Sequence, residues 1–170
     1  CLKTGIAARD YETNGDGIYN KTFRPTMLSV TFQVGSGVSI PLCHHEYDNP
    51  HWKKWLLYFG RKVVENPKVT KVGWNLKFDL QIFELYGIYV RGTVLDGMLM
   101  KYLLNEERPN DLKSMVRRYL PEHGDYEKAD KFDKIPWDKK PLEQLCKYGC
   151  QDTDYTLRLS MFFENKLIEI

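Results

Sequence analysis

The sequence predicts an α/β fold, and three observations carry that expectation. Strand-like runs at residues 4–12, 27–32 and 38–41 are punctuated by Asn14-Gly15-Asp16-Gly17 and by Gly35-Ser36-Gly37, the turn chemistry of a three-stranded meander. A strand at 71–74 leads into a helical segment at 78–86 and then a short strand at 93–95, an order that requires a parallel crossover. With 170 residues, 42% hydrophobic and 14% aromatic, the chain carries enough apolar material for one compact domain.

Each element has a local cause. In the first strand Ile6, Ala7 and Ala8 lead to Asp10 and Glu12, and the two-residue period of a strand points these acids one way and Tyr11 the other. Residues 44–50 read as a polar loop. Pro50 sits near the start of a helix in which Trp52, Trp55, Leu56, Phe59 and Val63 recur at helical spacing, and Pro67 stops it. The 78–86 helix ends at Gly87, and another helix spans about 97–104. Asp111 is an N-cap for a helix over 112–119, which Pro121 ends, and the charged residues 122–134 read as a mobile surface loop. Pro141 suits the first turn of a helix starting near Leu142, Gly149 is a candidate kink, and residues 152–170 carry Tyr155, Leu159, Phe162 and Phe163 on roughly one face.

The balance of 25 basic and 23 acidic residues gives a formal charge of +2, which neither demands nor excludes a polyanionic partner. No apolar run approaches a membrane span, and the opening residues lack the pattern of a secretory signal, so no membrane partner is expected and the chain should be soluble and intracellular. Cys1, Cys43, Cys146 and Cys150 form no Cys-x-x-Cys pair, and reduced thiols are expected. The chain opens on Cys1 and reaches a strand almost at once, which reads as a single domain cut from a longer protein and working as a monomer.

Chemistry concentrates in three acidic blocks, each on a different element: Asp10-Tyr11-Glu12, Asn75 to Asp79, and Tyr148 to Asp152. Singly, each is weak. Asp10 and Glu12 suit a solvated strand end, Asn75 and Asp79 suit a turn and a helix's first turn, and Tyr148 and Asp152 suit an ordinary helix surface. Tyr148 and Asp152 lie four apart and share a helix face, and acids that follow an apolar run need a partner near a core. Together, four carboxylates and a tyrosine are the makings of a site for two divalent cations. Asp154 falls on another face and reads as a solvated charge, while Asp96 reads as a helix cap. His44, His45 and His51 lack matching cysteines and read as loop polars, Trp52 and Trp55 as packing residues, and Lys77 and Arg91 as solvated charges.

In this order the blocks closely resemble the proofreading 3′–5′ exonuclease domain of bacterial and phage DNA polymerase I-like (family A) enzymes, within the DEDD nuclease superfamily. The likeness covers nearly all of the chain and is densest at residues 71–79, 86–88, 90–92, 96–99, 102–105 and 148–157. The family's first motif matches Asp10-Tyr11-Glu12-Thr13, its second Asn75 to Asp79, and its third Tyr148 to Asp152, whose tyrosine marks the DEDDy branch. Arg9 stands where an apolar residue is more usual and would point away from Asp10, and Gly149-Cys150-Gln151 fills a place often rich in alanine.

The resemblance implies a ribonuclease H-like fold, a mixed five-stranded sheet flanked by helices. It implies that Asp10 bridges two cations, Mg²⁺ or Mn²⁺, that Glu12 and Asp152 complete the first site, that Asp79 supports the second, and that Tyr148 orients the attacking water. Thr13, Ile18, Asn75 and Tyr126 would hold the nucleic acid, with Ile18 and Tyr126 gripping the terminal bases. The expected activity is release of nucleoside monophosphates from single-stranded DNA 3′ ends, with a polymerase domain in the same or a partner chain. The expected setting is the cytoplasm of a bacterium or phage-infected host, or an organelle. A same-fold exoribonuclease and a catalytically inert nucleic-acid- or polymerase-binding module are the rival readings.

Overall fold

The computed structural model describes residues 5–124 and 135–170. A five-stranded sheet in the order β3-β2-β1-β6-β7 forms its centre, from β1 (Ile6–Thr13), β2 (Pro25–Thr31), β3 (Gly37–Pro41), β6 (Thr70–Gly73) and β7 (Val94–Asp96). β1, β2 and β3 pair antiparallel as the meander, whereas β1–β6 and β6–β7 pair parallel, so the mixed sheet expected from the sequence is the one observed.

Helices cover both faces. Along β1, Ala7 and Tyr11 join the cluster containing Leu56 and Phe59 of α1 (Trp52–Phe59) and Ile82 and Phe83 of α2 (Leu76–Leu85). Ala8 instead packs with Val72 of β6 and Leu157 of α5 (Leu142–Ile168). The strand's alternation therefore turns Asp10 and Glu12 toward the α5 face. A third cluster joins Met100 of α3 (Gly97–Leu104), Met115 and Val116 of α4 (Leu112–Tyr119), and Tyr155, Leu159 and Phe163 of α5, the last three on the face the sequence marked as apolar.

α5 runs unbroken through Gly149, where the sequence suggested a kink. Close approach explains the glycine. A Cβ at Gly149 would lie 2.1 Å from Ser29 Oγ and 3.0 Å from Met27 Cε, and one at Gly37 would lie 2.8 Å from Cys150 Cβ. Gly149→Ala should accordingly cost about 1–3 kcal/mol through overpacking, read as a lower midpoint in denaturant unfolding. An unchanged midpoint would show that the sheet yields freely to α5. Polar bonds fix the same seam: Thr31 Oγ1 lies 2.9 Å from Thr153 Oγ1, and Ser39 Oγ donates to the Cys146 carbonyl at 2.9 Å.

Several expectations change. Residues 44–50 are not simply loop, because β4 (Cys43–His44) and β5 (Tyr47–Asp48) make a two-stranded hairpin. His44 is buried, with Nε2 3.0 Å from the Lys140 carbonyl, so it ties the hairpin to the entry of α5 and is no loose loop polar. Trp52 packs against the core but Trp55 is 53% exposed. Pro141 is the N-cap of α5 and not its first turn, and the Leu142 N–H donates to Glu46 Oε2 at 3.1 Å. Asp154 is buried, accepts from the Gly35 N–H at 2.5 Å and pairs with Arg158 at 2.8 Å, so it locks the β2–β3 turn to α5. Residues 121–123 form a short 3₁₀ turn, and the rest of the expected 122–134 loop falls mainly outside the described residues, Tyr126 included. No helix among the described residues is long and apolar enough to cross a membrane.

Candidate active site

The first acids stand at the end of β1, where the register against β2 shifts between Glu12 and Thr13. Such a bulge twists a strand end away from its partner and re-aims its side chains. Asp10 and Glu12 are partly buried on the α5 face. Asp79 enters from α2, where it occupies the first turn and is 3% exposed.

The start of α2 is organised by a residue outside the acidic blocks. Asn75 adopts a left-handed backbone, φ 59°, and its side chain makes no cap bond. Asp96 does the capping instead: its carboxylate accepts from the Asn75 N–H at 3.1 Å and the Leu76 N–H at 2.8 Å, and from the Met98 N–H at 3.0 Å. One carboxylate at the end of β7 thus stabilises the N-termini of both α2 and α3.

The third block comes from α5. Asp152 is 7% exposed and Tyr148 half-buried, and they share a cavity of about 190 Å³ with Asp10, Arg9, Trp74, Asp111, Leu112, Lys113 and Thr156. Asp10, Tyr148 and Asp152, chosen on sequence from opposite ends of the chain, therefore meet. Glu12 and Asp79 join them electrostatically. Burial, and then repulsion from Asp10 and Asp152, pushes the Glu12 carboxyl well above its ordinary value. Burial, and then Asp79, raises Asp10 from 3.8 to about 8, and burial raises Asp79 from 3.8 to about 7. Among the described residues, no three His, Cys, Asp or Glu side chains are drawn into a ready-made metal cage. Asp10 and Asp152 line the cavity, and Glu12 and Asp79 act on them as like charges do in a medium of low dielectric.

These raised values set a stability trend for protein kept in a chelator. Between about pH 4 and pH 8 the folded state holds protons on Asp10 and Asp79 that the unfolded chain has released, so stability falls as pH rises through this window. Thermal melting in EDTA should show that decline, and Asp10→Asn should flatten it. A melting temperature that climbs steadily from pH 4 to 8, in both proteins, contradicts the trend.

Three cations border the acids, and two of them, Lys140 and Lys113, are absent from the sequence reading. Lys140 is 8% exposed with its ammonium 3.0 Å from the Trp137 ring centroid, and Trp137 lies 5.1 Å from the Tyr148 ring. Lys113, from the first turn of α4, sits 5.4 Å from the Tyr148 ring centroid, and both lysines favour the charged form of Glu12. Arg9 is 1% exposed and lies 5.0 Å from the Phe83 centroid, on the strand face away from Asp10 as expected, but it also faces the field of Asp79. Its three guanidinium nitrogens have no hydrogen-bond partner, a costly arrangement for a buried cation. No spacing rule links Lys113 or Lys140 to the acids, because neither shares an element with them.

Of the residues expected to hold nucleic acid, Thr13 follows Glu12 and its Oγ1 accepts from the Gly15 N–H at 3.3 Å. Ile18 is partly buried against the main core cluster, and Asn75 is exposed.

A family model described as 3′–5′ exonuclease matches residues 2–168. The chain belongs to this exonuclease family, in the form carried by DNA polymerase I-type enzymes. The exonuclease domain is 31% identical over 168 residues to DNA polymerase I of Borreliella burgdorferi, covering 94% of this chain and 17% of that protein. It is 30% identical over 180 residues to the DNA polymerase of Escherichia phage T5, covering 88% of this chain and 21% of that protein. The domain thus spans about a fifth of the length of these curated relatives.

Solved structures place the exonuclease domain's fold among ribonuclease H-like DEDD exonucleases. Brucella melitensis NrnC with bound Mg²⁺ aligns with a TM-score of 0.68 at 18% identity, over 97% of this chain and 74% of that one. Escherichia coli RNase D, an exoribonuclease involved in structured RNA processing, aligns with a TM-score of 0.66 at 18% identity, over 96% of this chain and 40% of that one.

Proposed function

We propose that this domain hydrolyses nucleoside monophosphates one at a time from the 3′ end of single-stranded DNA, within or beside a polymerase. The observation that carries the reading is the meeting of Asp10, Tyr148 and Asp152 at one cavity, with Glu12 and Asp79 in its field, in a chain of this exonuclease family.

The donor set suits hard divalent cations. The acids on that cavity and beside it offer only oxygen ligands, without thiolate or imidazole, and their mutual repulsion is the burden a cation relieves. Asp10, Glu12, Asp79 and Asp152 would hold two such ions, Mg²⁺ or Mn²⁺. Bound there, these would supply Lewis acidity to the phosphoryl group and ease deprotonation of a water.

The chain's own groups do the rest. Tyr148, whose ring lies against Trp137 and near Lys113, would present its hydroxyl to the attacking water, while Asp96 keeps Asp79 in place by fixing the start of α2. Thr13, Ile18, Asn75 and Tyr126 are the proposed contacts to the terminal nucleotides, by shape and stacking and not by base edges. Tyr148→Phe should lower turnover about 10- to 100-fold while calorimetric Mg²⁺ affinity stays the same, because one hydroxyl aligns water without binding the ion. Lost ion affinity in that variant would assign Tyr148 to the metal site.

A second reading, action on RNA 3′ ends, takes its support from the exoribonuclease among the similar solved structures. Digestion of a DNA and an RNA oligonucleotide of one sequence, each labelled at its 5′ end, separates the two. A DNA ladder shortening from the 3′ end with slower RNA loss supports the proposal, and preferential RNA digestion replaces it.

A further inference from the structure

We infer that Lys113 is a substrate-contacting residue, whose ammonium engages a non-bridging oxygen of the 3′-terminal phosphodiester. The inference rests on the nuclease reading above and goes beyond its four carboxylates and tyrosine.

A phosphodiester that reaches Asp10 and Asp152 brings a negative charge into a group of acids and needs a cation close to its free oxygens. Arg9, Lys113 and Lys140 are cations in the field of Asp10, Glu12 and Asp79. Arg9 is 1% exposed and packed on Phe83, across the strand from the cavity's acids, and Lys140 is 8% exposed with its ammonium on the Trp137 ring. Arg9 and Lys113 both line the cavity with Asp10, Tyr148 and Asp152, and of the two it is Lys113 that is partly exposed.

Its placement is set by the fold. Asp111 caps α4, accepting from the Ser114 N–H at 2.8 Å, and this fixes the first turn at the cavity wall. From there the Lys113 stem carries its ammonium to within 5.4 Å of the Tyr148 ring centroid. A lysine in this setting combines a flexible stem with a point charge, which suits a phosphate that moves in by one nucleotide after each cleavage. The Asp111 carboxylate already occupies the N-terminus of α4, so the helix end does not take that role.

The test compares wild type, Lys113→Met and Lys113→Arg in binding a short single-stranded DNA in Ca²⁺, and in digesting it in Mg²⁺. The oligonucleotide is used twice, once with a natural 3′-terminal linkage and once with a neutral methylphosphonate there. Loss of one charge-assisted contact should weaken binding of the natural oligonucleotide by Lys113→Met about tenfold or more, with Lys113→Arg close to wild type. On the methylphosphonate, Lys113→Met and wild type should bind alike. Equal binding of the natural oligonucleotide by both proteins overturns the inference. So does an equal loss on both oligonucleotides, which would assign Lys113 to general attraction or to supporting Tyr148. A wild-type protein that leaves natural DNA intact in Mg²⁺ removes the nuclease reading, and the inference with it. Wild-type digestion beside an unaffected Lys113→Met removes the inference alone.

Discussion

Asp10→Ala is expected to reduce 3′-end hydrolysis by on the order of 10³-fold or more while the protein remains folded. Asp10 lies between the two other acidic blocks: it borders the cavity with Asp152 and Tyr148, and it is repelled by Asp79. Its removal takes away the carboxylate common to both halves of the proposed cation site. The fold should survive because alanine relieves a carboxyl that burial already disfavours, and Ala7 and Ala8 continue to pack β1 on both faces. Single-turnover digestion of labelled DNA gives the rate, and circular dichroism with thermal melting reports the fold. A folded Asp10→Ala protein that digests at a near-normal rate ends the proposed mechanism.

The second large effect is expected at Asp96, which lies outside the acidic blocks. Asp96→Ala removes the acceptor for the N–H groups of Asn75, Leu76 and Met98, and leaves the first turns of α2 and α3 uncapped. Each lost cap typically costs about 0.5–2 kcal/mol, so a loss of about 1–4 kcal/mol is expected from chemical denaturation. Activity should fall as well, since Asp79 occupies the first turn of α2 and moves with it. Asp96→Asn retains an acceptor and should recover much of both losses. If Asp96→Ala abolished turnover with no change in stability, Asp96 would have to act on the reaction directly.

β1, β6 and α5 were legible because an apolar run or a helical period delivers each acid, and local periodicity decides which way a side chain faces. The meander was legible from its turns. What periodicity could not give was contact between distant segments. Gly149 read as a kink because propensity penalises glycine in a helix, whereas the packing of Ser29 requires it. Asn75 read as a turn residue and does supply a left-handed backbone, but the hydrogen bonds that fix the turn come from Asp96, at the end of the next strand. Lys113, Lys140 and Trp137 carried no signal because lysine on a helix is ordinarily a solvated charge and their relation to Tyr148 exists only in three dimensions. His44 and Asp154 were read as loop and surface polars for the same reason, and both proved to be buried ties between the sheet region and α5.

The acids gathered from β1, α2 and α5 are proposed to form a cation-dependent site acting on a DNA 3′ end. The most direct measurement is digestion of a 5′-labelled single-stranded DNA by the wild-type domain across a titration of Mg²⁺, with a chelator control and Asp10→Ala in parallel. Products shortened one nucleotide at a time from the 3′ end are expected, with a rate that saturates with Mg²⁺ and no digestion in the chelator or by the variant. Digestion that persists in the chelator, or an intact oligonucleotide at saturating Mg²⁺ and Mn²⁺, would contradict it.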